Sequence, residues 1–312
     1  MLQERTLWLV GGVMAVLAVA TSVGQLIKQR GGSTLNPAAV RAFTLRLRSY
    51  WLMCAVLAGT FLIGRIATVV LFGLISFWAL REFITLTPTR PADHRALFWV
   101  FFLFTPLQFV LVGMGEDQYA LYTVLIPVYA FLFVLARVAL AGDYKRFLER
   151  TAKIQSGLMV CVYCLSHAPA ILDLRLQDYT ENARLLFFFV LIVQMADALE
   201  YLFERLLGEH VIVPAINPNK TWEGFIGGAL ATSLLGSLLW WATPFNPWQA
   251  ASMSLMTAVV GYLGGLTMSA VKRDRGVKDY GTLVTGHGGI LDRLDSLCFA
   301  APVFFHVTRY FF

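Results

Sequence analysis

The chain is a succession of long apolar segments, and this feature restricts its fold more than any other. A bilayer core about 30 Å thick takes a helix of about 20 apolar residues, and shorter spans are tolerated. Only 14% of the residues are charged and 58% are hydrophobic, against about 25% and 45–50% in soluble domains. This excludes a soluble enzyme, a disordered chain and a nucleic-acid-binding protein, and it predicts an all-α, polytopic transmembrane helix bundle. The candidate spans are about 7–27, 50–64, 66–80, 96–114, 119–141, 158–171, 184–203, 225–242, 250–270 and 290–312.

The number of spans depends on residues 50–80, which Arg65 alone divides. Two short helices there give ten spans, and one long kinked segment gives nine. With ten spans, five loops fall on one side and carry 19 Lys and Arg residues, against four on the opposite side. Because cytoplasmic loops are enriched in Lys and Arg, we expect ten spans, with both termini on the non-cytoplasmic side. Nine spans is the alternative.

The polar residues are unevenly distributed along this bundle. The first six spans consist mostly of Leu, Val, Phe and Ala, whereas the last four and their loops carry most of the candidate chemistry. No internal repeat, low-complexity tract or linker divides the chain. We therefore predict a single integral-membrane domain over residues 1–312, with scaffold helices in 1–190 and the catalytic helices and cytoplasmic loops in 191–312.

The segment 269–295 combines the parts of a phosphate site. Ser269, Lys272 and Arg273 stand at i, i+3 and i+4, so they share one face at the end of a helix. After a polar loop, the run Gly286-His287-Gly288-Gly289 directly precedes an apolar helix. Glycines in this position let backbone N–H groups approach an anion, and the helix N-terminus adds partial positive charge. Taken singly, the basic residues read as membrane anchors and His287 as a polar loop residue.

Two carboxylates follow this glycine run. Asp292 and Asp295 are three residues apart on one helix face, beside the expected phosphate turn. Mg²⁺ takes one or two carboxylates and completes its shell with phosphate oxygens and water. Carboxylates near a membrane without a cation are costly to bury. A local salt bridge with Arg293 is the simpler alternative, but the combination of features in 27 residues favours a phosphate and metal site.

A second polar cluster precedes this segment. Asp197 and Glu200 stand at i and i+3 in or near the end of the seventh span, where ionisable groups are functional candidates. In the loop that follows, Asn217 to Gly224, either Thr221 or Asn219 could cap the eighth helix, with Glu223 in its first turn. Capping does not explain Lys220, a cation at a helix N-terminus that favours anions. A bound phosphate would resolve this conflict.

These residues resemble the signature of the phosphatidate cytidylyltransferase (CDP-diacylglycerol synthase) family. The resemblance covers about 191–312 well and the remainder only as hydrophobic helices. Arg81-Glu82-Phe83 is similar to a weaker feature of the family. The main signature of the family is S-x-x-K-R, then K-D, then H-G-G-x-x-D-R-x-D. The upstream pattern is an Asp followed by (S/N)-P-x-K-T-x-E-G. This chain matches the two patterns at Asp197, Asn217, Pro218, Lys220, Thr221, Glu223, Gly224, Ser269, Lys272, Arg273, Lys278, Asp279, His287, Gly288, Gly289, Asp292, Arg293 and Asp295.

The chain departs from the family pattern in two places. Many bacterial members carry G-D-L four residues before the signature serine, but this chain has Gly264-Gly265-Leu266. One expected acidic metal ligand is therefore absent, although forms resembling the eukaryotic enzymes also lack it. Glu200 also replaces a small residue of the D-x-x-A-Y pattern, and it or Asp279 could compensate for the missing carboxylate.

The resemblance implies a reaction in which CTP and phosphatidic acid give CDP-diacylglycerol and pyrophosphate. It implies Mg²⁺, with a second cation left open, and CTP, phosphatidic acid and membrane lipids as partners, with a homodimer left open and no nucleic acid. It places the protein in a bacterial inner membrane with its active site facing the cytoplasm. The implied catalytic residues are Asp292, Lys272, Asp295 and His287; the substrate-binding residues are Lys220, Thr221, Glu223, Ser269, Arg273, Lys278, Gly288, Gly289 and Arg293; and the metal ligands are Asp292, Asp295, Asp279 and Asp197.

Four other functions compete with this hypothesis. A CDP-alcohol phosphatidyltransferase would need a D-x-x-D-G-x-x-A-R type run, which is absent. A transporter would place matching broken helices in its two halves, whereas the ionisable residues here lie mainly in the last four spans. A CTP-dependent polyprenol kinase would use similar substrates. A catalytically altered paralogue that binds lipids is the remaining alternative because of Gly265.

Overall fold

A computed structural model describes residues 64–87, 89–176, 179–281 and 288–312, together with isolated positions before residue 64. The predicted spans 7–27 and 50–64 lie almost wholly outside the described residues. At the edge of the described part, Ile63 is helical and Gly64 is not. Gly64 has a φ of +124°, and the next helix begins at Arg65. A helix boundary therefore lies at the position where the sequence predicts a division, next to Arg65.

The described residues form eight long helical segments. They contain isolated β-bridges but no β-strand. An all-helical fold is thereby confirmed for this part of the chain. The helices are α1 (Arg65–Leu86), α2 (Pro91–Met114), α3 (Glu116–Ala139), α4 (Phe147–Asp173), α5 (Asn182–Leu207), α6 (Trp222–Leu238), α7 (Pro247–Asp274) and α8 (Leu291–Phe311).

Six of these helices are long and apolar enough to cross a membrane, namely α1 to α5 and α7. Helix α6 has only 17 residues. Helix α8 has 21 residues but carries Asp292, Arg293, Asp295 and Arg309, which reduce its apolar character. The protein is thus an integral membrane protein with several spanning helices, and the count of ten spans remains a prediction.

Glycines allow the last four helices to approach one another closely. A Cβ atom on Gly228 of α6 would lie 2.7 Å from the Glu200 Cα atom of α5. A Cβ on Gly264 of α7 would lie 2.8 Å from the Phe299 side chain of α8. Small residues at such crossings permit backbone contact between membrane helices. This packing brings the polar residues of α5, α7 and α8 to one place.

A buried ion pair joins the start of α2 to the start of α4. The Arg150 guanidinium donates from Nε to the Asp93 carboxylate at 3.0 and 3.1 Å and from Nη2 at 2.5 Å. Arg150 is 5% exposed and Asp93 is fully buried. The same guanidinium also donates to the carbonyl oxygens of Asp143 and Lys145. The pair is therefore fully hydrogen-bonded, which buried charges require.

We expect Asp93→Ala to lower the free energy of unfolding by about 3 kcal/mol, because it removes the fully buried carboxylate partner of Arg150 and leaves only the partly exposed Asp143 carboxylate, 3.1 Å from Nη1. Denaturation of the purified protein in detergent measures this loss. Glu149→Ala serves as the matched control, since Glu149 forms an i,i+4 pair with Lys153 and its side chain is 45% exposed. Equal stability losses in the two variants would contradict the prediction.

Candidate active site

A cavity of about 620 Å³ opens between α5, α7, α8 and the loop 208–221. It collects residues from both polar clusters of the sequence, which are more than 40 positions apart. Cations and carboxylates of three helices and this loop therefore face the same space. Eight of the residues predicted from sequence line it, namely Asp197, Lys220, Thr221, Ser269, Lys272, Asp292, Arg293 and Asp295.

Asp292 is held by three donors. Its Oδ1 accepts a hydrogen bond from the Lys272 ammonium at 2.8 Å. Its Oδ2 accepts from the backbone N–H groups of Tyr280 and Gly289, both at 2.8 Å. Gly288 has a φ of +82°, and a Cβ atom there would lie 2.6 Å from the same Oδ2. The glycine run thus lets the backbone wrap around the Asp292 carboxylate.

Asp197 and Asp295 meet at Ser296. The Ser296 hydroxyl donates to Asp197 Oδ1 at 2.8 Å, and the Ser296 N–H donates to Asp295 Oδ1 at 2.9 Å. The Ser296 residue thus bridges the two carboxylates. Gly265 lies beside them, because a Cβ atom there would be 3.9 Å from Asp295 Oδ2. The position of the missing family carboxylate is therefore next to this pair.

The carboxylates suit a hard cation such as Mg²⁺, which binds oxygen ligands. In the part of the chain that the structure describes, no group of three or more His, Cys, Asp or Glu side chains is spaced to hold a metal ion. Mg²⁺ needs only one or two carboxylates when substrate phosphates and water complete its shell. Asp292, Asp295 and Asp197 line the cavity, whereas Asp279 is exposed and does not.

Lys220 contacts two carboxylates of α5. Its ammonium donates to Glu200 and lies 3.4 Å from Glu204 Oε1. It also lies 4.9 Å from the centroid of the Tyr262 ring. Burial lowers the pKa of Lys220, but the Glu200 and Glu204 carboxylates raise it by more, so the pKa lies above its ordinary value. Lys220 therefore carries a positive charge at neutral pH.

This pairing explains why a cation lies close to the N-terminus of α6, and the explanation differs from the one expected. The sequence suggested a bound phosphate as the partner of this cation, but the protein supplies two carboxylates of its own. Glu204 was missed as part of the site. Its signal was the spacing of Asp197, Glu200 and Glu204 at i, i+3 and i+7, which places them on one side of α5.

Of the two cap candidates Thr221 and Asn219, Thr221 caps α6, since its Oγ1 accepts a hydrogen bond from the Gly224 N–H at 3.2 Å. Glu223 lies outside the cavity. Its carboxylate accepts from the backbone N–H groups of Glu209 and His210 and contacts the His210 ring at 2.6 Å. The hydrogen bond to Glu223 raises the pKa of His210. Glu223 therefore holds the loop 208–221 against α6.

Other predicted site residues also lie away from the cavity. Arg273 donates to the carbonyl oxygens of Ile216 and Val277, so it joins the loop 208–221 to the end of α7. Lys278 is exposed. Gly288 and Gly289 surround Asp292 without lining the cavity. His287 lies outside the described residues.

A membrane helix bundle whose cavity combines several cations with acidic metal-ligand candidates has the chemistry to bind phosphate groups and a metal ion. Comparison with known proteins specifies the class further. The model of the cytidylyltransferase family matches residues 44–311. The chain belongs to this family and is a nucleotidyltransferase.

Relatives of two kinds are similar to this chain. The uncharacterized protein YnbB of Escherichia coli is 35% identical over 307 residues, covering 96% of both chains. Phosphatidate cytidylyltransferases of Staphylococcus epidermidis and Staphylococcus aureus are 41% and 40% identical over 126 residues, covering 40% of this chain and 48% of theirs. The chain thus matches about half the length of these enzymes.

Proposed function

We propose that this protein is a phosphatidate cytidylyltransferase, which converts CTP and phosphatidic acid into CDP-diacylglycerol and pyrophosphate. The observation that carries the proposal is the cavity in which Lys220, Lys272 and Arg293 face the same space as Asp197, Asp292 and Asp295. The staphylococcal relatives named for this activity support the choice of substrates. The cavity lies among membrane helices, where a lipid can reach it laterally.

The proposed reaction needs little covalent chemistry from the protein. A phosphate monoester is mostly dianionic at pH 7, so an oxygen of the lipid phosphate can attack the α-phosphorus of CTP without a general base. The new P–O bond forms as the bond to the β-phosphate oxygen breaks, and pyrophosphate leaves with that electron pair. Catalysis then consists of positioning and charge neutralisation. Lys272, Arg293 and Lys220 supply the positive charge. The Ser269 hydroxyl, which donates to the Gly265 carbonyl oxygen at 2.7 Å, would turn to donate to a phosphate oxygen.

Mg²⁺ is the proposed cofactor, with Asp292 and Asp295 as the main ligands and Asp197 beside them. Each carboxylate oxygen can accept two bonds, so Asp292 Oδ1 retains capacity beyond its bond from Lys272. When bound, Mg²⁺ would neutralise charge on the phosphates and orient them. The exposed Asp279 contributes less in this arrangement than the sequence alone suggested.

The proposed topology has ten spans, both termini outside and the active site on the cytoplasmic side of a bacterial inner membrane. The distribution of 19 against 4 basic residues supports it. The cavity residues of α5 and α7 lie toward the C-terminal ends of their helices, and those of α8 lie at its N-terminal end. All three ends are cytoplasmic in this topology. Residues 1–190 serve mainly as scaffold and 191–312 carry the reaction.

The test is a transfer assay with purified protein, Mg²⁺ and CTP labelled either at its α- or at its γ-phosphate, with phosphatidic acid or a polyprenol as the acceptor lipid. We expect the α-label, and not the γ-label, to enter the lipid fraction together with release of pyrophosphate. Transfer of the γ-label to a polyprenol would instead establish the kinase alternative. Saturable binding of phosphatidic acid with no transfer of either label would establish the catalytically altered, lipid-binding alternative. Either result would overturn the proposal.

A further inference from the structure

The carboxylate of Glu82, in α1, binds the N-terminus of α8. Its Oε1 accepts a hydrogen bond from the Ile290 N–H at 3.0 Å, and its Oε2 accepts one from the Leu291 N–H at 2.9 Å. Glu82 is only 6% exposed. The first N–H groups of a helix have no partner within the helix, and negative charge is favourable there. The two groups therefore stabilise each other over a separation of more than 200 residues.

Two glycines make room for this carboxylate. A Cβ atom on Gly289 would lie 2.3 Å from Glu82 Oε2, and one on Gly281 would lie 2.9 Å from Oε1. Both distances are shorter than van der Waals contact. The neighbouring Phe83 stacks on Tyr280 with ring centroids 6.3 Å apart. Helix α1 thus contacts the backbone on both sides of residues 282–287.

The same backbone carries the ligands of Asp292. Glu82 binds the N–H groups of residues 290 and 291, while Asp292 Oδ2 binds those of 280 and 289. The first turn of α8 is therefore fixed between two carboxylates, one from α1 and one of its own. We infer that Glu82 is a positioning residue, which sets the orientation of Asp292 for the proposed nucleotidyl transfer and so rests on that function.

This inference also changes where the substrate phosphates bind. The glycine run suggested that the N–H groups at the start of α8 bind an anion directly. Three of these donors, on Gly289, Ile290 and Leu291, are bonded to carboxylates of the protein. The substrate phosphates then depend on side-chain cations that line the cavity, namely Lys220, Lys272 and Arg293.

The test uses Glu82→Gln, which keeps the size of the side chain. The amide oxygen of the glutamine can still accept a hydrogen bond from one of the two N–H groups. The amide NH2 group is a donor, so it cannot accept from the other N–H group. We expect faster hydrogen–deuterium exchange in the peptide that contains residues 290–295, measured without substrate. In the transfer assay we expect an increase of about 10–100-fold in the Mg²⁺ concentration for half-saturation, as for other groups that orient metal ligands.

Glu149→Gln is the matched control because it makes the same change on an exposed side chain outside the cavity. A merely structural role of Glu82 would reduce the amount of folded enzyme and leave the Mg²⁺ half-saturation of the remainder unchanged. Unchanged exchange at 290–295, or unchanged Mg²⁺ dependence with exchange altered, would overturn the inference. Failure of the proposed function can be distinguished from failure of this inference. In that case the wild type would transfer no label, but the effect of Glu82→Gln on hydrogen exchange would still be measurable.

A second, independent observation concerns Gln194, at the middle of α5. Gln194 lines the cavity, and its Nε2 atom is buried with no hydrogen-bond partner among the described residues. It is three residues from Asp197, about 4.5 Å further along the helix axis and away from the end that carries Glu204. Burying an amide donor without a partner costs free energy. A bound ligand with an acceptor at this depth would remove that cost.

We propose that the Gln194 carboxamide donates to an ester carbonyl of the lipid substrate, in extension of the proposed function. In a glycerolipid, the ester carbonyls lie a few bonds from the phosphate and on its membrane side. With the phosphate near Asp197 and Lys272, the first ester carbonyl is the acceptor that reaches toward the middle of α5. Gln194 would thus distinguish diacyl lipids from dialkyl ether lipids, which lack this carbonyl.

The test compares diacyl and dialkyl phosphatidic acids as substrates and as ligands of the wild type and of Gln194→Leu. For the wild type we expect a KM about 3- to 10-fold lower for the diacyl lipid, the size of one neutral hydrogen bond. Gln194→Leu should lose this preference with an unchanged KM for CTP. Gln155→Leu, on α4 and outside the cavity, is the control.

A wild type that uses both lipids equally, or a Gln194→Leu variant that keeps the preference, would overturn the proposal. Direct binding of the two lipids to the purified protein gives the same comparison without turnover. Failure of the proposed function would therefore appear as absent transfer, separately from the lipid preference.

Discussion

Asp292→Asn should reduce kcat for nucleotidyl transfer by about 10²–10³-fold, the scale of removing one preorganised electrostatic group from an active site. The substitution keeps the shape of the side chain but removes its charge. The carboxylate accepts bonds from Lys272, Tyr280 and Gly289, and an amide cannot accept from all three because one of its ends is a donor. The loss therefore combines a weaker metal site with a misplaced Lys272.

The measurement is single-turnover transfer of α-labelled CTP at saturating Mg²⁺ and lipid. Asp274→Asn is the control, since Asp274 lies at the end of α7, is 67% exposed and pairs with the adjacent Arg275. The control should keep wild-type activity. Activity of Asp292→Asn equal to that of Asp274→Asn would contradict both the role of Asp292 and the proposed mechanism.

Much of the site was predictable because its residues are grouped in sequence. Helical spacing places Ser269 near Lys272, and the glycines before α8 indicate a backbone turn beside Asp292. The apolar segments also identify a helical membrane protein, since hydrophobicity alone determines that class. These features depend on local periodicity and composition, which a single sequence displays directly.

The partners of the charged groups were not predictable in the same way. The pairing of Lys220 with Glu200 and Glu204 depends on the close approach of α5 and α6, which Gly224 and Gly228 permit. The contact of Glu82 with α8 joins residues more than 200 positions apart. A sequence shows that such charges exist but not which of them meet, because tertiary packing decides that.

The second large effect is expected on stability, from the contact of Lys220 with Glu200 and Glu204. Lys220→Met should lower the free energy of unfolding by about 3–5 kcal/mol, because it leaves two buried carboxylates without their cation. The Glu200 and Glu204 side chains are only 7% and 9% exposed. Denaturation in detergent measures the loss, with Lys145→Met as a control on an exposed cation outside the cavity.

The double variant Lys220→Met/Glu200→Gln separates charge balance from substrate binding. Removing one carboxylate relieves most of the repulsion, so we expect stability to recover toward the wild type. Transfer activity should stay at least about 10-fold below the wild type, since a hydrogen bond from a cation to a phosphate contributes about 1.5–3 kcal/mol. Recovery of activity together with stability would show that Lys220 serves only to neutralise α5. Substrate phosphates would then depend on Lys272 and Arg293, which line the cavity from α7 and α8.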